Sequence, residues 1–188
     1  MPSMPESRQS THPSPDLAAR ARGIRVLLFD VDGVLTDGGV YVHGDGSESK
    51  RFDIKDGAGI VIARRAGLVV GLISARQSAS TAHRARQLGL DLVQQGVTDK
   101  AAALADLMAT HGWPAESIAY MGDDVVDLPV MRRVGLAACP ADAVPEVRAS
   151  AHLVSSCPGG RGAARALIED ILRAQGRWDA LIDADRRP

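Results

Sequence analysis

Asp30 and Asp32 stand two apart at the end of an apolar run over residues 24–29, and Gly33 follows them directly. The length, β-branching and polar flanks of that run predict a buried strand. Side chains alternate along a strand, so Asp30 and Asp32 leave its carboxyl end pointing roughly the same way. Gly33 lets the backbone turn sharply and approach a ligand. Two carboxylates held this close repel each other unless a cation or a proton sits between them. Such a pair suits nucleophilic attack and proton transfer on a substrate already associated with a cation. Asp-x-Asp-Gly also occurs in calcium loops and ordinary turns, so the rest of the chain has to decide.

Three further groups carry possible chemistry. Ser74, followed by Ala75 and Arg76, ends a second apolar run. Lys100 comes just after Thr98 and Asp99, in the first turn of a helical pattern. Gly122, Asp123 and Asp124, with Asp127 three further on, follow a third run. A serine at a strand end is commonly a helix cap, and an isolated helical lysine is commonly solvated. The acidic cluster is harder to explain without a cation, and several hard oxygen ligands suit Mg²⁺.

These residues need a scaffold that delivers them to one place. Strands are predicted at 26–29, 68–73, 118–121, 136–138 and 152–154, and helices at 57–66, 78–88, 99–111, 125–134 and 162–174. That alternation means α/β: a Rossmann-like three-layer sandwich with a mostly parallel sheet, and ligands outside the carboxyl ends of its strands. Residues 38–53 break the alternation. Two short strands around Gly44-Asp45-Gly46-Ser47 read as a protruding β-hairpin, the only insertion near the site, which makes the domain capless. The expected organisation is a disordered tail over 1–22, one folded domain over 23–178 and a flexible tail over 179–188.

Composition narrows the partners. Lys plus Arg (22) nearly balance Asp plus Glu (23), and aromatics make up 3% of 188 residues. No basic stripe interleaved with aromatics invites nucleic acid, and no apolar run is long enough to span a membrane. Cys139 and Cys157 have no metal-type spacing and read as reduced thiols. The first twenty-odd residues lack the apolar core of a signal peptide. A soluble, cytoplasmic protein acting on a small molecule is expected.

In their order along the chain, the four groups resemble the motifs of the haloacid-dehalogenase-like phosphatases, over residues 24–175. Within that superfamily, Asp30 to Gly38, Lys50 to Ile60, Gly122 to Met131, Gly159 to Ala163 and Ala174-Gln175-Gly176 resemble the 3-deoxy-D-manno-octulosonate 8-phosphate phosphatase family. The resemblance implies hydrolysis of that sugar-acid phosphate, a step toward the lipopolysaccharide inner core of Gram-negative bacteria. Asp30 would be the nucleophile forming an aspartyl-phosphate, and Asp32 the acid and base. Mg²⁺ would be held by Asp30, the carbonyl of Asp32 and Asp123, with Asp124 and Asp127 behind them. Ser74 and Lys100 would hold the phosphoryl oxygens. Substrate would also meet Asp32, Asp53, Ile54, Lys55, Asp56, Gly57, Arg76 and Arg84. The resemblance implies a homotetramer with the carboxyl tail reaching near a neighbour's site. Because a capless site would stay wet, the 38–53 hairpin is expected to pack against another protomer and roof its cleft. The family usually has Gly at the position of Ala75, a bulky residue at Ala58 and Arg at Lys55. Two alternatives stay open: a phosphatase of nine-carbon sialic-acid-type sugar 9-phosphates, and a non-catalytic partner of a sugar-activating cytidylyltransferase.

Overall fold

Strand β1 (Val26–Phe29) is buried along its whole length and pairs in parallel with β4 (Val69–Ile73) on one side and β6 (Ile118–Met121) on the other. Around this centre the computed structural model, which describes residues 15–185, builds a six-stranded all-parallel sheet. β5 (Leu92–Gln94), β7 (Leu136–Cys139) and β8 (Leu153–Val154) complete it, in the order β5-β4-β1-β6-β7-β8. The chain winds outward from β1 to one edge, then returns through β6 to the other. The β1/β6 junction is therefore the topological switch point, where such sheets leave a crevice beyond their carboxyl ends.

The sequence builds three layers because its strands are apolar on both faces. Leu27 and Phe29 of β1, Ala119 and Met121 of β6, and Leu136 and Ala138 of β7 face one core. That core is covered by α1 (Pro15–Gly23), α2 (Ile54–Arg65), α3 (Ala79–Gln87), α7 (Ala163–Ala174) and α8 (Trp178–Asp185). Val26 and Leu28, Ile118 and Tyr120, Ala137 and Cys139 face the opposite core. There α4 (Lys100–His111), α5 (Leu128–Met131) and α6 (Pro145–Ser150) supply Leu104, Leu107, Val130, Met131 and Val147. Among the described residues no helix is long and apolar enough to cross a membrane.

Several boundaries differ from expectation. Helix α2 begins at Ile54, ahead of the predicted residue 57, with Asp53 capping it through the Lys55 amide at 2.7 Å. Gly57 and Gly59 serve close packing within this helix. A side chain at Gly57 would run into the Arg84 guanidinium, and one at Gly59 would press on Arg165 of α7. The predicted 125–134 helix is instead a 3₁₀ turn (Val125–Asp127) followed by α5, with Pro129 in its first turn. Two short elements, β5 and α6, were not foreseen.

Part of each expected tail is helical. Residues 15–22 belong to α1, which buries Ala21 against α7, and α8 runs through the presumed tail to Asp185, resting Leu181 and Ile182 on the core. Residues 1–14 and 186–188 lie outside the described residues.

The hairpin is present as β2 (Tyr41–Val42) and β3 (Glu48–Ser49), paired antiparallel with Tyr41 opposite Ser49. A bridge between Thr36 and Phe52 ties its base to the domain.

Candidate active site

Each expected catalytic residue follows from a strand end or a helix cap. Asp30 leaves β1 with its amide bonded to the Met121 carbonyl at 2.9 Å, so the first turn is fastened to β6. Thr36 then staples the turn: its buried hydroxyl oxygen accepts from the amides of Gly33 at 3.3 Å and Gly38 at 3.2 Å. Gly33 holds φ +85°, and a Cβ there would collide with the Asp123 carboxylate. Glycine is required at this position both for the left-handed backbone and for the room it leaves Asp123.

Ser74 directly follows β4, its amide donating to the Gln94 carbonyl at 2.9 Å and its own carbonyl accepting from the Val97 amide at 3.1 Å. Lys100 opens α4 behind Asp99, whose carboxylate caps the Ala101 and Ala102 amides at 2.9 Å each. Asp30, Asp32, Ser74, Ala75, Arg76, Lys100, Asp123, Asp124 and Val126 line one cleft of about 180 Å³ at the switch point.

The Lys100 ammonium is buried between two carboxylates, 2.9 Å from Asp30 Oδ1 and 2.7 Å from Asp127 Oδ1. Burial alone would lower its pKa, but the pull of Asp30 and Asp127 outweighs that and raises it, so the lysine remains a cation. Asp127 is fully buried and saturated. Oδ1 takes Lys100 and the Tyr120 hydroxyl (2.6 Å), while Oδ2 takes the amides of Asp123 (3.0 Å) and Asp124 (3.3 Å). Burial and then the neighbouring carboxylates push the Tyr120 phenol well above its usual range, so it stays a donor.

Asp30 and Asp123 have no such saturation. Burial, with Asp127 next, pushes Asp30 up to about 6, and burial, with Asp30 next, pushes Asp123 up to about 7. Asp123 Oδ1 is buried with no hydrogen-bond partner. Asp30, Asp123 and Asp127 offer oxygens within 4.8 Å of one another. Since Asp127 is already engaged by four donors, Asp30 and Asp123 are the carboxylates left to share a cation. An all-carboxylate donor set without His or Cys fits a hard divalent ion such as Mg²⁺.

The substrate-binding set divides. Arg76 and Lys100 line the cleft, whereas Asp53, Ile54, Lys55, Asp56, Gly57 and Arg84 gather at the start of α2 and do not line it. Arg84 packs over Gly57 and donates to the Asp53 carbonyl at 3.5 Å. Asp56 has a structural engagement of its own. Its carboxylate turns away from the cleft and accepts the Gly162 and Arg165 amides at 3.1 and 2.9 Å, capping α7. A buried acid opposite helix amides satisfies donors that would otherwise be unpaired.

Three residues that complete the site went unforeseen. Lys50, from the hairpin, buries its whole side chain and puts its ammonium 2.8 and 2.9 Å from the two Asp32 oxygens. Glu48 pairs with Arg76 at 2.7 Å. Tyr120 sits in an apolar strand, where a buried phenol needs a partner. That need was the available signal for Tyr120. Lys50 and Glu48 carried none beyond the alternation of the hairpin strand.

Comparisons with known proteins follow the same geometry. A family model described as haloacid dehalogenase-like hydrolase matches residues 74–167. The 3-deoxy-D-manno-octulosonate 8-phosphate phosphatase KdsC of Escherichia coli K12 is 40% identical over 166 residues, 88% of each chain. Among solved structures, the phosphatase of that name from Yersinia pestis is 41% identical, with a TM-score of 0.86 over 88% of this chain and 89% of that one. The Moraxella catarrhalis enzyme, in complex with magnesium ion, phosphate ion and KDO, is 33% identical, with a TM-score of 0.89 over 91% of this chain and 98% of its own.

Proposed function

Since this chain belongs to the 3-deoxy-D-manno-octulosonate 8-phosphate phosphatase family of haloacid-dehalogenase-like hydrolases, we propose that it hydrolyses that phosphomonoester to the free sugar acid and phosphate. The observation that carries the reading is the Asp30–Lys100–Asp123 constellation at the switch point, with Asp32 beside it on the same turn. In this role the chain works in the cytoplasm, on the way to the lipopolysaccharide inner core.

Asp30 attacks phosphorus in line and becomes an aspartyl-phosphate. Asp32 gives a proton to the leaving sugar oxygen, then takes one from the water that opens the intermediate. Lys100 neutralises phosphoryl charge next to the nucleophile, and Ser74 donates to a phosphoryl oxygen. Asp127 and Tyr120 hold the Lys100 ammonium where it acts. Mg²⁺, held by Asp30, Asp123 and the Asp32 carbonyl, supplies further neutralisation of the phosphate dianion when bound. Arg76 offers a fork-shaped donor to the carboxylate of the sugar acid. Incubation of the Mg²⁺-loaded protein with 3-deoxy-D-manno-octulosonate 8-phosphate should release phosphate and sugar acid in equal amounts; no release would overturn the assignment.

The cleft also supports assembly. At about 180 Å³ it is smaller than the roughly 300–1,000 Å³ typical of small-molecule pockets. It therefore encloses the phosphoryl end and leaves the sugar outside. Among the described residues no cap domain covers that sugar: only the hairpin separates β1 from α2. The hairpin base rests on its own domain, but Tyr41 and Val42 at its end are 67% and 75% exposed, and Ile54 at the start of α2 is 76% exposed. We place these apolar groups in a homotetramer interface, where the start of α2, with Lys55 and Arg84, reaches a neighbour's substrate. Replacing Tyr41 and Val42 together by Ser should shift sedimentation from tetramer to smaller species and raise KM for the sugar phosphate. A wild-type protein that sediments as a fully active monomer at micromolar concentration would contradict this.

A further inference from the structure

Asp32, Lys50, Glu48 and Arg76 close a ring of alternating charge at the mouth of the cleft. Lys50 Nζ lies 2.8 Å from Asp32 Oδ1 and 3.8 Å from Glu48 Oε1. Arg76 Nη2 lies 2.7 Å from Glu48 Oε2, and Arg76 Nε lies 3.7 Å from Asp32 Oδ2. Two members come from the hairpin strand, two apart and so on one face. The other two come from the ends of β1 and β4.

The Glu48–Arg76 contact has the properties of an exchangeable pair. Arg76 is 52% exposed, and ion pairs at that exposure contribute little net free energy. Only one Glu48 oxygen reaches the guanidinium, and the carboxylate also has the Ser78 hydroxyl and the Lys50 ammonium beside it. A carboxylate arriving from solvent can engage the guanidinium fork with both oxygens, which is the stronger arrangement. Displacing Glu48 does not strand its charge, because Lys50 is its immediate neighbour. Nor does it require the hairpin to move. The Glu48 backbone is fixed by the Val42 pairing and by the Ser80 hydroxyl, which donates to the Glu48 carbonyl at 3.0 Å.

We propose that Glu48 is a specificity-determining residue: an internal stand-in for the substrate carboxylate, which occupies Arg76 until a sugar acid displaces it. Arg76 then contributes only to ligands that bring a second anion. A neutral sugar phosphate leaves the Glu48–Arg76 pair closed and gains nothing from the arginine. The inference rests on the reading that this site takes a keto-sugar-acid phosphate.

The test is kinetic, on the Mg²⁺-loaded wild type, Glu48→Gln, Arg76→Ala and the double variant. Each is assayed with 3-deoxy-D-manno-octulosonate 8-phosphate and with p-nitrophenyl phosphate, which has no carboxylate. Freed of its competitor, Arg76 should bind the sugar acid better. Glu48→Gln should therefore lower KM for the octulosonate phosphate about two- to fivefold, and by more than it alters KM for p-nitrophenyl phosphate. In the Arg76→Ala background the same substitution should not lower that KM, since the two residues act as one unit. A Glu48→Gln variant whose KM for the sugar acid is unchanged or raised would overturn the proposal, because Glu48 would then be idle or would serve to hold Arg76 in place. A wild-type protein that hydrolyses p-nitrophenyl phosphate but not the octulosonate phosphate counts against the substrate reading instead. The four proteins are then compared on the nine-carbon keto-acid 9-phosphate, where the same KM pattern decides the role of Glu48.

Discussion

Asp30→Asn should abolish turnover, with kcat reduced by at least about 10³-fold. The substitution keeps the shape of the side chain, and the Asn oxygen can still accept from the Lys100 ammonium that now sits 2.9 Å away. The fold should therefore persist while the nucleophile is lost, since a carboxamide does not displace an alkoxide from phosphorus. No phosphoenzyme should be trapped by acid quench. Asp32→Asn should behave differently. General acid–base help is worth roughly 10²–10⁴-fold, so this variant should be slow, and any aspartyl-phosphate it forms should persist. Near wild-type turnover by Asp30→Asn would remove the nucleophile from the mechanism altogether.

Removing the metal should have the second largest effect. Activity should vanish in chelator and return with Mg²⁺, because Asp30 and Asp123 crowd one another and Asp123 Oδ1 lacks any partner of its own. Asp123→Ala should weaken Mg²⁺ binding by at least about 100-fold, more than the 10–100-fold typical when a group behind the ligands is lost. Asp127→Ala should act by another route. It removes the acceptor for Lys100, Tyr120 and two backbone amides, all in a buried place. Breaking a buried pair costs about 3–5 kcal/mol, so its melting temperature should fall far more than that of Asp123→Ala. Calorimetric titration of Mg²⁺ and thermal melts of both variants separate the two roles. Full activity in chelator, with metal absence confirmed by elemental analysis, would contradict the cation reading.

The parts of this molecule that were legible in its sequence are those where one local pattern has one physical meaning. An apolar run of strand length, buried on both faces, reads directly as a central parallel strand, and β1 and β6 were found to the residue. That Asp30, Asp32, Ser74, Lys100 and Asp123 share one cleft was legible because each follows a strand or opens a helix on the side where this fold places ligands. The start of α2 was placed three residues late, at Gly57, because its cap, Asp53, lies in the loop after the hairpin, where no local apolar period marks it. Strand β5 was missed because three half-buried residues are too few to show a period. Helix α1 was hidden by a Pro- and Ser-rich neighbourhood, and only Ala21 and Leu17 tie it to the core.

Long-range contacts explain what the motifs alone do not show. Asp56 was assigned to substrate because it lies in a motif, while its partners, Gly162 and Arg165, are more than a hundred positions away along the chain. Lys50 and Glu48 escaped notice for the reverse reason. Their meaning depends on how the hairpin folds back over Asp32 and Arg76, and no local spacing encodes that.

The central claim is that this site hydrolyses an eight-carbon keto-sugar-acid phosphate. It is tested most directly by kcat/KM for phosphate release with Mg²⁺ across four substrates. These are 3-deoxy-D-manno-octulosonate 8-phosphate, a nine-carbon sialic-acid-type 9-phosphate, a hexose 6-phosphate and a nucleoside monophosphate. The account predicts the highest value for the octulosonate phosphate, by about 10²-fold or more over the two substrates that lack a sugar carboxylate. A hexose phosphate or nucleotide turned over as well as the octulosonate phosphate would contradict it.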